Sequence, residues 1–391
     1  MLKRGLLIAI AGVCVAAAVA VAGVARTASA AVAKAAPTVS CSNPIQIGMM
    51  GPFTGPVASI GDDQLHWAEY FEQTWNASHS LKINIVQGDT QLNPAIASTV
   101  AQSFASNSSI VGVIGPAGSD EVTAASPILR KAGLAFASGS ATNVTLTTGA
   151  NKGYFFRDVP NDGVQAPTDA AYMMSHLGVK KGDSVMVIDD QESYSTGLAD
   201  IVQKDLTADG VSVDRESVSQ KATDFSALVA KVTSSTKVVF IPWQVASEAQ
   251  LLSQQLKAQG KSAIVFGSDG TFDSSKFNTP GAYVSFFAPD VTTIKADSSI
   301  VAGYHKAFPG GTTPFGAPNY VLAEMYAMAA TKACAAGKGT LSRASLRAAF
   351  AKVSVPNSII GPVSFTSSGD LAGAKFHIFK IENGGKYVTV A

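Results

Sequence analysis

The chain has 391 residues, a formal net charge of +1 and only 15% charged residues. Without Met1 to Ala30 it keeps 26 basic and 28 acidic side chains, a balance of −2 that offers no basic field for nucleic acid. The remaining length exceeds one ordinary core and suits two domains, and the low charge allows large buried interiors.

Lys3 and Arg4 precede an uncharged run from Gly5 to Ala25 and the small-x-small pattern Ala28-Ser-Ala30. This reads as a secretory signal peptide over residues 1–30, with an uncleaved anchor as the alternative because the run could span a bilayer. The protein is therefore expected to be exported, periplasmic or associated with the cell surface. A polar, Ala-rich leader follows over residues 31–43. Cys14 lies in the signal run, which leaves Cys41 and Cys334 as a candidate disulfide in an oxidising compartment. Closing so long a loop could stabilise the fold by about 4 to 5 kcal/mol in the chain-entropy model. Two free thiols, or lipidation of Cys41, are the alternatives.

From Ile45 onward, strand-like and helix-like segments alternate, the mark of an α/β protein. Strands are predicted at Ile45 to Met49, Ile83 to Gln87, Ile110 to Ile114, Leu134 to Ala137, Val185 to Asp189, Val238 to Ile241 and Ala263 to Phe266. Between the third and fourth of these, Val122, Ala125 and Leu129 fall at helical spacing over Asp120 to Lys131. Phe225, Leu228, Val229 and Val232 do the same over Asp224 to Val232, with Thr223 or Asp224 as N-cap. Asn319 to Ala335 is a further helix. Asp158-Val-Pro-Asn161, Ala288-Pro-Asp290 and Ser364 to Gly369 read as changes of direction, which suggests two lobes facing across a hinge.

Two clusters of small hydroxyl residues stand behind apolar strands: Gly115-Pro-Ala-Gly-Ser119 and Ser138-Gly-Ser-Ala-Thr142. A right-handed strand, helix, strand unit opens both loops at the carboxyl edge of the sheet, where open α/β folds bind ligands. Ser119 falls where the next helix begins, and free N–H groups there favour a carboxylate or phosphate. The lysine and spacing of a P-loop are missing, and so is a G-x-S-x-G elbow. The five histidines, His66, His79, His176, His305 and His377, are scattered without metal-ligand spacing. No catalytic residue, metal or cofactor is expected.

Ile45 to Asp62 resembles the first strand and loop of the periplasmic branched-chain amino-acid-binding proteins, the type I solute-binding family of ABC importers. The resemblance continues through Asp89-Thr-Gln-Leu-Asn-Pro94, Gly115 to Thr142, Phe155-Phe-Arg157, Asp189 to Gly197, Asp224-Phe-Ser226, Phe266-Gly-Ser-Asp-Gly270 and Gly361-Pro-Val-Ser-Phe365. It implies two Rossmann-like lobes with parallel central sheets, joined by a three-crossover hinge, with the ligand enclosed between them. Lobe 1 would comprise residues 44–160 and 290–364, and lobe 2 residues 161–289 and 365–391. The partners implied are a small amino acid or analogue and an ABC permease with its ATPase, and a monomer is expected. A sensor serving a separate receptor is the alternative role, and an amide, a urea-like molecule or an aromatic acid the alternative ligand.

On the family pattern Ser119 and Thr142 donate hydroxyls to the ligand carboxylate, and the backbone around Ser140 and Thr142 adds contacts. Asp269 would take the ammonium, and Tyr194 matches a family tyrosine on the second lobe that touches the ligand backbone. The plainer readings are an N-cap for Ser119, a turn residue for Asp269, and a helix cap or core residue for Tyr194. Departures concern the side-chain pocket. Ile60 stands where several relatives place an aromatic residue. Pro242-Trp243-Gln244 replaces a glycine-rich turn with tyrosine, so Trp243 could stack on a ligand and Gln244 could hydrogen-bond one. Trp67 occupies a position usually small in relatives and is expected at a helix-sheet contact. These changes put leucine, isoleucine and valine in doubt.

Overall fold

Five apolar runs form a parallel sheet in the order Ile83–Asp89, Ile45–Gly51, Ile110–Ile114, Ala135–Ser138, Phe155–Arg157. The computed structural model describes residues 37–310, 313–373 and 375–391, so the signal peptide expected over residues 1–30, with Cys14, lies outside the described residues. Ile110–Ile114 is buried along its whole length because helices cover both faces of the sheet, which is why this strand is continuously apolar rather than alternating. Pro94–Ser106 and Ser119–Lys131 pack on one face, and Ala58–Ser78, Gly316–Ala336 and Arg343–Phe350 on the other. Gly316–Ala336 is buried nearly all round, as a helix with no polar face must be.

A second sheet has the order Tyr387–Thr389, His377–Ile381, Tyr283–Phe286, Ile264–Gly267, Thr236–Ile241, Ser184–Asp189, Ser212–Ser217. Its five strands between residues 184 and 286 are parallel, and the last two of the chain add an antiparallel edge. Asp162–His176 and Ser193–Ala208 cover one face, and Ser226–Lys231 and Ala246–Ala258 the other. The chain therefore crosses between the two layered bodies after Arg157, after Phe286 and again before His377. Among the described residues no helix is long and apolar enough to cross a membrane.

Several local expectations are corrected. Helix Ser226–Lys231 is shorter than the periodicity predicts, and its N-cap position falls to Phe225. Asp224 instead closes a turn, its Oδ1 accepting from the Ser226 N–H at 3.1 Å. Trp67 meets helices rather than a sheet: it stacks on Tyr304 at 4.0 Å and lies against Gly316. The end of the leader is not a free tail, since Thr38–Ser40 pairs antiparallel with Thr340–Ser342.

That pairing brings Cys41 to Cys334, which are disulfide-bonded across 293 positions of sequence with Cα atoms 6.0 Å apart. The bond staples the leader to the largely buried helix Gly316–Ala336. Reduction, or Cys334→Ser, is expected to lower stability by about 4 to 5 kcal/mol, because the unfolded chain regains the entropy of a very long loop. Urea unfolding with and without reductant measures this; a coincident midpoint would contradict it.

Candidate functional site

The first wall is built by two strand-end loops that hold each other. Gly115 sits at φ +92°, and a Cβ there would fall 2.1 Å from the Met50 carbonyl, so only glycine lets the loop turn at this edge. Helix Ser119–Lys131 starts directly behind it, with the Glu121 carboxyl accepting from the Gly118 N–H at 2.8 Å. Ser138 Oγ donates to the Pro116 carbonyl at 2.6 Å, and Ser140 Oγ donates to the Ala117 carbonyl at 2.9 Å. Ser140 Oγ also accepts from Gln64 Nε2 at 2.9 Å, so its hydroxyl is committed to shaping the loop. Ser119 Oγ accepts from the Asn143 N–H at 3.3 Å and donates to no acceptor among the described residues. Beneath them Arg157 is fully buried, donating to the carbonyls of Ala141 (3.1 Å) and Asn143 (2.8 Å) and pairing with Asp370 at 2.8 Å. This clamp fixes the loop that carries Ser140 and Thr142, and its charge is already neutralised.

The opposite wall comes from the second sheet. Asp269 opens a short turn after Ile264–Gly267, and Gly270 behind it admits the Trp243 carbonyl, which a Cβ would meet at 2.4 Å. Asp269 Oδ1 accepts from Gln165 Nε2 at 2.7 Å and from the Tyr194 hydroxyl. Gln165 Nε2 also donates to Ser285 Oγ at 3.0 Å, and Ser285 donates to Asp169 at 3.1 Å, so a chain of hydrogen bonds through helix Asp162–His176 orients the acid. Burial pushes the Asp269 carboxyl up to about 6. Burial also lifts Asp162 to about 7 and Asp169 well above the usual carboxylate range.

Between the walls lies a cavity of about 40 Å³, lined by Pro52, Val57, Ile60, Leu92, Ala117, Gly118, Ser119, Ser140, Tyr194, Gln244, Asp269, Gly270 and Phe315. The walls touch around it: Asp120 Oδ1 accepts from the Ser193 N–H at 2.7 Å, Asn143 Nδ2 donates to the Ser193 carbonyl at 2.7 Å, and Ser59 Oγ donates to Asp273 at 3.0 Å. Donors therefore face an acid across a space with room for a small molecule. No lysine, arginine or histidine is among the lining residues. The lining thus offers neutral donors and the one acidic side chain of Asp269.

Four of the six residues predicted for the site, Ser119, Ser140, Tyr194 and Asp269, reach this cavity. Thr142 does not line it. Its hydroxyl is buried beside the Asp162 carboxyl, yet the pair forms no hydrogen bond of good geometry. Trp243 is the clear correction: its ring is fully buried in the second core, 4.9 Å from Phe225, with Nε1 donating to the Ile188 carbonyl at 2.8 Å. An indole with its N–H satisfied by a strand carbonyl gains more from the core than from a polar cleft. Gln165, Asp162 and Asp169 were missed. Their helical spacing places Asp162, Gln165 and Asp169 on one buried face, and polar residues on such a face were the available signal.

Two lobes of parallel α/β structure, three crossings and a polar cavity at the facing strand ends define a hinged binding protein. Residues 44–386 match the family described as Periplasmic binding protein, and the chain belongs to it. It is 28% identical over 352 residues to the amino acid binding protein of Pseudomonas aeruginosa, covering 88% of this chain and 91% of that one. Its fold is similar to that of a leucine binding protein from Thermotoga maritima, with TM-score 0.80 and 19% identity over 89% of this chain and 98% of that one. A solute binding protein from R. palustris in complex with benzoate is also similar, with TM-score 0.76 and 18% identity over 89% of this chain and 96% of that one.

Proposed function

We propose that this protein binds a small α-amino acid as its zwitterion outside the cytoplasm and presents it, lobes closed, to an ABC permease and its ATPase. The observation that carries this reading is the buried Asp269 carboxyl in a cavity wall opposite Ser119 at a helix start. Ser119 donates its hydroxyl to the ligand carboxylate, and the helix dipole favours the anion there. Neutral donors suit the enclosed site, because a desolvated ion pair recovers little of its desolvation cost. Asp269, held by Tyr194 and Gln165, accepts the ammonium.

The cycle is docking on the first wall followed by closure that adds Tyr194 and Asp269. A ligand that touches both walls binds the closed form better and shifts the population towards it. The amino-acid and leucine relatives support this chemistry, whereas benzoate, bound by another relative, has no amine. Ligand at a hundredfold excess over its Kd should stabilise the fold by about 2.7 kcal/mol. Thermal shift against the amino acids and benzoate reads this directly. A shift with benzoate and with none of the amino acids would overturn the zwitterion reading.

A further inference from the structure

Pro52, Val57, Ile60, Leu92 and Phe315 give the cavity an apolar lining, and Gln244 is among the polar residues that interrupt it. Gln244 is only 9% exposed, yet its carboxamide has no hydrogen-bond partner among the described residues while it lines the cavity. Of the other polar side chains there, Ser140 is bonded to Ala117 and Gln64 and Tyr194 to Asp269, while Ser119 and Asp269 are the groups assigned to the ligand's carboxylate and ammonium. Gln244 is also held firmly in place. The Trp243 ring is wedged into the second core and bonded to the Ile188 carbonyl, and Gly270 packs against the Gln244 backbone, where a Cβ would come within 2.8 Å of its Cα.

A carboxamide offers two donors and an acceptor, and leaving them unpaired when the lobes close and expel water is costly. An aliphatic ligand would impose that cost; a ligand with its own polar group would remove it. From this we infer that Gln244 selects the ligand's side chain, and that the ligand is an amino acid whose short side chain carries a neutral hydroxyl or carboxamide. The inference rests on the zwitterion reading, since Ser119 and Asp269 are there taken by the ligand's carboxylate and ammonium, which leaves Gln244 for its side chain. An acidic side chain would find no cationic partner among the lining residues.

The test is calorimetric titration with near-isosteric pairs, threonine against valine and asparagine against leucine, on the wild type and on Gln244→Met. The wild type is expected to prefer the polar member of at least one pair by about tenfold to hundredfold, the ratio that corresponds to leaving a buried hydrogen-bonding group unpaired. Gln244→Met should bring that ratio to within about threefold by weakening the polar ligand. Should Gln244→Met fail to fold, Gln244→Asn, which withdraws the amide by one methylene, should lower the ratio instead. A wild type that prefers valine and leucine would overturn the inference and leave the zwitterion reading intact. An unchanged ratio in the folded variants would remove Gln244 as the selecting residue. Binding of none of the four would overturn both readings.

Discussion

Asp269→Asn is expected to weaken amino-acid binding by about 30-fold to 1000-fold, because truncating one partner of a buried charge pair costs about 2 to 4 kcal/mol. Asparagine keeps the size of the side chain and an oxygen that can still accept from Gln165 or Tyr194, so the turn and the wall should survive. Stability should change little, since the substitution removes a carboxyl that burial already makes hard to ionise. The pH dependence of binding separates charge from shape. With the Asp269 carboxyl lifted to about 6, an ammonium ligand must find it ionised, so wild-type affinity should fall as pH drops below that value. The asparagine variant should lack this step. Titration calorimetry between pH 5 and 8 measures both effects, and an unaltered affinity in the variant would remove Asp269 from the site.

The second large effect is an inverted pH profile of stability. Burial lifts the carboxyls of Asp63, Glu121 and Asp162 to about 7, and that of Asp190 to about 6. Each such group binds more protons in the folded chain than in the unfolded one between its unfolded value near 4 and its folded value. Its contribution is therefore complete below about pH 4 and is lost as pH rises through 6 to 7. Across the closed cleft Glu192 faces Asp120 and is pushed up to about 7, first by burial and then by its acidic neighbours, so acid also favours closure. The opposing groups are Asp370, beside Arg157, and Asp89, bonded by Thr54 and backbone N–H groups. Both are held low and withdraw stability only as pH falls below the usual carboxylate range.

The optimum is thus expected near pH 4, with Tm falling on the order of 5 to 10 °C between pH 5 and pH 8 as several buried carboxyls are forced to ionise. Scanning calorimetry of the ligand-free protein checks this. A Tm that is flat or rises over that interval would show that these carboxyls find partners or water that lower them.

Much of the frame was legible because it is local. Ile110–Ile114 could be read from an apolar run with helical periodicity after it, and Ser119 at the helix start from its position behind a glycine turn. The three direction changes lie where the chain passes between the two sheets. The disulfide could be anticipated from the count of exported cysteines, though not the strand pairing that brings Cys41 to Cys334. Asp269 and Tyr194 came from resemblance, and the structure adds the Gln165 bond that holds the acid.

What the sequence by itself determined is the alternation of strands and helices and the edge at which their loops gather, because periodicity, chain reach and turn chemistry act over a few residues. Only the tertiary structure decided that Trp243 turns into the core while Gln244 lines the cavity, and that Asp162, Gln165 and Asp169 stand behind Asp269. Adjacent residues in an irregular turn have no period to set their direction. Whether an acid is buried depends on helices and strands supplied from more than a hundred positions away, as Ser285 is for Asp169.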